Sequence, residues 1–297
     1  MAVESPTAPR LLDILETAGV RAIPVPWEGS GPSIERLGTA VRRGAKLFIY
    51  QPTLQVPTGR TVSEEWVANA AAVLTTNNVL AVEVEASLFA SARASTLVDI
   101  AGFRESVVHI EDHSLAYGND LRIATLTASN RVAKLVAKGL TLSERWVPPT
   151  MQLQLANHLT DSRSLYSVEL AAREYERRNT AVVETLRAGG VTVESSGGMK
   201  AWLAVHDEDQ SIKAIELSRL GLAHFHRGSA FKLLQGRQQH LSLHTADLLK
   251  HTEALADVLR ETNDAGIARS SAMRNSQTAN SRGERQAGEL RVNERLA

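Results

Sequence analysis

Apolar positions along the first half of the chain switch repeatedly between helical and strand spacing. Leu11, Leu12, Ile14 and Leu15 share one helical face, and Gly19 stands where a left-handed residue ends such a turn. Val20–Val25 then reads as a strand, Ser33–Arg42 as a helix and Leu47–Tyr50 as a compact buried strand. After the turn Pro57-Thr58-Gly59, Thr61 with Glu64 three residues later predicts a capping box opening a helix to about Thr76. Val79–Val84 has a buried-strand pattern, and Ala92–Ile100 a helical one. Val107–Ile110 and Arg122–Thr127 read as further strands, with Lys134 and Lys138 on the helix that follows. Strands separated by helices of this length predict βαβ units and a mainly parallel sheet.

Pro148-Pro149 breaks the pattern. From about Ser164 a long helix places Val168, Ala171, Ala172, Tyr175, Val182 and Leu186 near one face until Gly189-Gly190 stops it. Strands are predicted at Val191–Glu194 and Ala201–Val205 around a Gly-Gly turn. A helix at about Asp209–Arg219 and short strands near Ala223–His226 and His240–His244 follow, then a helix from Thr245 to Thr262. The expected division is 1–148 as an α/β unit, 149–262 as a linking helix with a small α+β domain, and 263–297 as a polar tail. That tail has no aromatic residue and no lysine but six arginines, too little apolar surface to offset the entropy of ordering.

Composition narrows the function classes. The 297 residues carry 33 Lys+Arg against 33 Asp+Glu, a formal net charge of zero, so direct nucleic-acid binding is not expected. The absence of cysteine excludes disulfides, thiolate metal sites and cysteine nucleophiles. No apolar run reaches membrane-spanning length, and Met1–Arg10 has no apolar signal core, so no membrane contact and a cytoplasmic location are expected.

Several motifs carry a resemblance. Glu4-Ser5-Pro6-Thr7-Ala8-Pro9 through Pro24-Val25-Pro26 comes first, then Gln51-Pro52-Thr53-Leu54-Gln55-Val56-Pro57-Thr58-Gly59, then Ser114-Leu115-Ala116-Tyr117-Gly118-Asn119-Asp120-Leu121-Arg122. Gly197-Gly198-Met199-Lys200-Ala201-Trp202-Leu203 and Gly228-Ser229-Ala230-Phe231 follow at matching intervals. In this order they resemble the class I/II aminotransferase fold, fold type I of the pyridoxal-phosphate (PLP) enzymes, and most of all the effector domains of GntR/MocR-type regulators. The resemblance covers about residues 4–250. It implies a partial aminotransferase large domain, mainly parallel sheet with helices, joined to a small α+β C-terminal domain. It also implies that the front of the fold, with its phosphate-cradling turn, and the regulators' winged helix have no counterpart in this sequence.

The same resemblance locates where the chemistry departs. PLP catalysis needs a lysine to hold the aldehyde and move protons, and Leu115 stands at that position. The acid facing the pyridine nitrogen is replaced by Val84, the neighbouring tyrosine by Ala86, and the asparagine beside the ring hydroxyl by Val56. Asp112 stands where a phosphate-binding hydroxyl is common, and Ser242 replaces the arginine that grips the substrate carboxylate. Only Ser114 and Arg122 match residues able to touch a phosphate. Lys134 and Lys138 read as solvated side chains.

The expectation is therefore a degenerate, non-catalytic relative with no catalytic residue and no cofactor. It would act as a regulatory or scaffold subunit through protein contacts, as a homodimer or a hetero-oligomer with an intact relative. The alternative is a PLP-dependent aminotransferase, or a PLP or amino-acid sensor, completed by another chain. A third reading places metal or small-phosphate binding in the old cleft. His109, Glu111 and His113 share a strand face, as do His240 with His244 and His224 with His226, but none has a third ligand at diagnostic spacing, so no metal is expected. There is no G-x-S-x-G elbow and no P-loop.

Overall fold

The computed structural model describes residues 1–86, 94–118, 120–142, 147–195, 197–218, 220, 225–233, 238–246, 248 and 250–268. Seven strands form the larger sheet: β1 (Ala2–Ser5), β2 (Ile23–Glu28), β3 (Gly31–Pro32), β4 (Leu47–Tyr50), β5 (Leu80–Glu85), β6 (Val107–Asp112) and β7 (Ala124–Thr127). Their order is β3-β2-β1-β4-β5-β6-β7, with β2, β1, β4, β5 and β6 parallel and the short edge strands β3 and β7 antiparallel. This is the mainly parallel α/β architecture that the alternation predicts.

The helices form where sequence supplies caps. α1 (Pro9–Thr17) ends before Gly19, which adopts φ +64°. α2 (Ile34–Arg42) starts at Ser33, whose hydroxyl accepts the Arg36 N–H at 3.4 Å. α3 (Glu64–Thr76) buries Trp66, Val67, Ala70 and Leu74 against the sheet. Phe48 stacks on Tyr50 with centroids 5.2 Å apart, and the Trp66 ring lies tilted against Tyr50 at 5.0 Å. Gly31 lies so close to the Trp66 ring that a Cβ there would fall 2.5 Å from it.

Beyond β7, α5 (Asn130–Leu142) follows α4 (Ser114–Tyr117). α5 buries no residue, and all four residues of β7 are exposed. α6 (Pro149–Thr160) leads into α7 (Ser162–Ala188), which Asp161 caps by accepting the Ser164 N–H at 2.9 Å. The second sheet, ordered β10-β11-β9-β8, is antiparallel throughout: β8 (Val193–Glu194), β9 (Lys200–Val205), β10 (Phe225–Arg227) and β11 (Gln239–His244). α8 (Glu208–Leu217), the last turns of α7 and a helix through residues 252–268 enclose its core of Leu186, Leu203, Leu241, Leu255 and Leu259. No helix among the described residues is long and apolar enough to cross a membrane.

Several local expectations shift. Ser63, not Thr61, caps α3; the Thr61 hydroxyl instead accepts the Leu54 N–H at 3.1 Å, holding the preceding loop. The helix expected at 92–100 is a single 3-10 turn, Leu97–Asp99, tied by Thr96 and Asp99; residues 87–93 lie outside the described set. Arg122 is not in a strand but in the left-handed region at φ +44°. The last helix runs further than expected. Asn263 Oδ1 accepts the His206 N–H at 2.8 Å and Gly266 lies against the His206 ring, so helix continues to 268. Residues 269–297 lie outside the described residues.

Candidate functional site

The C-terminal ends of β5 and β6, the start of α4 and the segment before β7 enclose a cavity of about 590 Å³. Val84, Ile110, Asp112, Ser114, Arg122, Ile123 and Ala124 line it. Strand alternation explains the selection on β5. Val84 faces the cavity, while Glu83 and Glu85 turn to the opposite, buried side. The fold thus brings together Val84, Asp112, Ser114 and Arg122, four positions that the motifs single out from separate segments.

Their chemistry is specific. Asp112 Oδ1 accepts the Ser114 N–H at 2.9 Å, placing a carboxylate on a backbone donor of the α4 start. Leu115 follows on α4, 48% exposed and carrying no group able to hold an aldehyde. Arg122 is exposed, and a non-glycine residue at its positive φ stores about 1–2 kcal/mol of strain. Bound PLP would require a lysine, an acid at its ring nitrogen and neutral or cationic donors at its phosphate. Val84 is apolar, no lysine is among the lining residues, and Asp112 already fills the nearby anion position. These residues do not fit the group.

Other predicted positions lie elsewhere. Val56 sits in a loop held by its own side chains: Gln51 Oε1 accepts the Val56 N–H at 2.6 Å, and Gln55 bridges Pro6 O and the Thr58 hydroxyl, each at 2.6 Å. Ser242 is fully buried in β11 with its hydroxyl unpartnered. Lys134 and Lys138 are exposed on α5. His113 Nε2 lies 3.0 Å from Thr125 Oγ1, and His240 stacks on Trp202 at 4.8 Å, while His224 lies outside the described residues. Among the described residues no three His, Asp or Glu side chains converge on a metal position.

The motifs gave no warning of a polar row beneath the sheet. Tyr50, Glu83 and His109 are in register across β4, β5 and β6. The Tyr50 hydroxyl and the Leu97 N–H both donate to Glu83 Oε1, at 2.5 Å and 2.6 Å, and His109 Nδ1 lies 3.1 Å from Glu83 Oε2. The bond to Glu83 raises the His109 pKa, and burial raises that of Tyr50 well above its ordinary value. Glu4 is buried beside them, accepting from Trp27 Nε1 at 2.9 Å and the Gln51 N–H at 3.0 Å; burial pushes its pKa up. The sequence signals for this row are the acids flanking Val84 and His109 on its strand face, which the structure ties to Glu83 and, among the described residues, to no metal position.

These elements define the class: the chain has the class I/II aminotransferase fold of the PLP-dependent enzymes. Kynurenine aminotransferase from Pyrococcus horikoshii, solved with PMP, matches with a TM-score of 0.77 and 17% identity, over 88% of this chain and 69% of its own. An α-aminoadipate aminotransferase from Thermus thermophilus matches with a TM-score of 0.78 and 20% identity, over 90% and 72%. In sequence, the vitamin B6 salvage pathway transcriptional repressor PtsJ of Salmonella typhimurium is 24% identical over 221 residues, 74% of this chain. The chain spans about half the length of that relative. No protein-family model matches the sequence.

One expectation is corrected by this comparison. Direct nucleic-acid binding is not expected from a net charge of zero, yet the relative is a transcriptional repressor, a regulator of DNA-binding type. Net charge sums a whole chain and conceals local patches, and this chain covers about half of the relative.

Proposed function

We propose that this chain is a non-catalytic, regulatory member of the aminotransferase fold, acting through macromolecular contacts instead of turnover. The observation that carries this reading is the cavity at Ser114 and Arg122. Its wall offers Val84 where a ring-nitrogen acid would stand, Leu115 follows where the lysine would stand, and Asp112 occupies the Ser114 N–H. The likeness to a transcriptional repressor supports a regulatory role.

A second reading is favoured by Arg122 and Ser114 themselves. An arginine held in a strained conformation at a cavity mouth can grip an anion bidentately, so the cavity would sense a phosphorylated ligand without reacting with it. The relative's name places it in vitamin B6 salvage, which makes PLP the ligand to try.

Titration of the purified chain with PLP, followed by borohydride reduction and mass spectrometry, separates these readings. No binding and no adduct are the expected result. Saturable binding without an adduct, lost in Arg122→Ala, would favour the sensor. A reduced adduct on one lysine would overturn the non-catalytic reading outright.

A further inference from the structure

A second cavity, of about 690 Å³, runs along the outer edge of β2. Its size falls in the range of small-molecule sites. It lies at the far side of the sheet from the Arg122 cavity, since β2 and β7 approach opposite edges of the strand order. One face of α2 forms a wall, with Arg36, Thr39, Ala40 and Arg43 at positions i, i+3, i+4 and i+7. Arg21 leads into β2, and Lys232 reaches in from the segment after β10. Four cations and one acid, Glu28, therefore line this space.

Several arginines elsewhere in the molecule are already paired, whereas those facing this cavity keep their donors. On the helical surface arginines meet carboxylates: Arg173 with Glu169, Arg177 and Arg178 with Glu174, Arg260 with Asp257. Among the described residues, the side chains of Arg21, Arg36 and Arg43 make no ion pair and no hydrogen bond. Lys232 donates to Gln238 O at 2.9 Å and lies 2.9 Å from His240 Nδ1, so one of its three N–H donors is left for another acceptor.

The floor decides what kind of partner can enter. Ile23 N donates toward β1, to Met1 O at 2.8 Å, so alternation turns the nitrogens of residues 24 and 26 outward. Both are prolines and carry no N–H, and the Pro26 carbonyl already accepts the Ser33 N–H at 2.7 Å. An added peptide strand would find no backbone donor at these two positions. What remains is an apolar floor of Ile23, Pro24 and Pro26 under a cationic rim.

We propose that this cavity binds a small organic oxyanion of two or more charges, an apolar body on Pro24 and Pro26 with its charged groups between Arg36, Arg43 and Lys232. Guanidinium forks match both phosphate and paired carboxylates, and the two sources need different probes. Phenyl phosphate and phthalate would each be titrated into the full chain by calorimetry, at low and at moderate salt. The expected result is saturable one-to-one binding of one probe. Arg36→Ala with Arg43→Ala should weaken it at least tenfold, Arg36→Lys should weaken it less, and Arg173→Ala and Arg122→Ala should leave it unchanged. The first three substitutions lie at exposed positions, and circular dichroism would verify their folding. Phenyl phosphate alone binding assigns a phosphate site, phthalate alone a carboxylate site. Failure of both probes, or binding that survives the double substitution, would overturn the proposal. Binding lost only in Arg122→Ala would transfer it to the other cavity. Tighter binding of duplex DNA that displaces the probe would replace the small ligand with nucleic acid.

Discussion

His240 shows how a single side chain makes this fold sensitive to pH. Burial first, and then the neighbouring Lys232 ammonium, push its pKa from the ordinary 6.5 down to about 4. The ring lies on Trp202, and Lys232 Nζ lies 2.9 Å from Nδ1, where neutral imidazole can accept. The Glu208 carboxylate accepts the His240 backbone N–H at 3.4 Å, and its charge acts on Lys232 in the opposite sense to burial. In the unfolded chain His240 takes a proton below about pH 6.5; the folded chain refuses it until about pH 4. Between those values the unfolded state binds more protons, so stability falls as pH falls. The full displacement corresponds to about 3 kcal/mol, and partial exposure reduces this to about 1–2 kcal/mol. Urea unfolding of wild type and His240→Gln from pH 7 to 4 should show a shallower decline in the variant. Parallel curves would refute this assignment.

At the scale of elements, the loop 51–60 locks the two sheets together. Gly59 adopts φ +66°, and a Cβ there would lie 2.8 Å from Lys200 O at the start of β9. Arg60 reaches Glu194 of β8 at 3.5 Å from the same loop. Gly59→Ala should therefore cost about 1–3 kcal/mol and lower the thermal midpoint, whereas Gly44→Ala, also at positive φ but in open space, isolates the conformational part of that cost. If the two variants lose equal stability, the contact with β9 contributes nothing. This loop was legible as a motif, because Gln51, Gln55, Thr58 and Gly59 fall at intervals that one compact turn uses completely. The cap of α3 was not. Thr61 and Ser63 are both competent caps, and only the long-range demand of the Leu54 N–H assigns Thr61 elsewhere. The Ser114–Arg122 cavity could be assembled from motif order, whereas the β2 cavity draws Arg21, Arg36 and Lys232 from segments that no local pattern connects. The fold class could be read from periodicity because it repeats over many elements; the continuation of the last helix to 268 could not, because it depends on the ring of His206.

Across the whole molecule, burial is distributed unevenly, and that predicts a gradient of stability. Ala2, Val3, Phe48, Tyr50 and Ala81, on three adjacent parallel strands, are almost completely buried. Opening them exposes the main apolar cluster, so their amides should exchange only through global unfolding. The β7 end is built differently. β7 is paired on one side only, has four exposed residues, and is followed by a helix with no buried residue. Leu135 is 64% exposed and Leu142 78%, so releasing α5 forfeits little hydrophobic stabilisation. At the opposite side, β3 covers only the end of β2, and the stretch of β2 that it leaves unpaired is closed to strand addition by Pro24 and Pro26, while Ala124–Thr127 contains neither proline nor charge. Native-state hydrogen exchange should find β1, β4 and β5 protected to the global limit and α5 exchanging through small, independent openings. Protection of α5 equal to that of β5, at every protein concentration, would show that its apolar side chains are buried in solution and would overturn this gradient. Protection that grows with concentration would locate the cover in a second molecule, because an intramolecular contact does not depend on concentration.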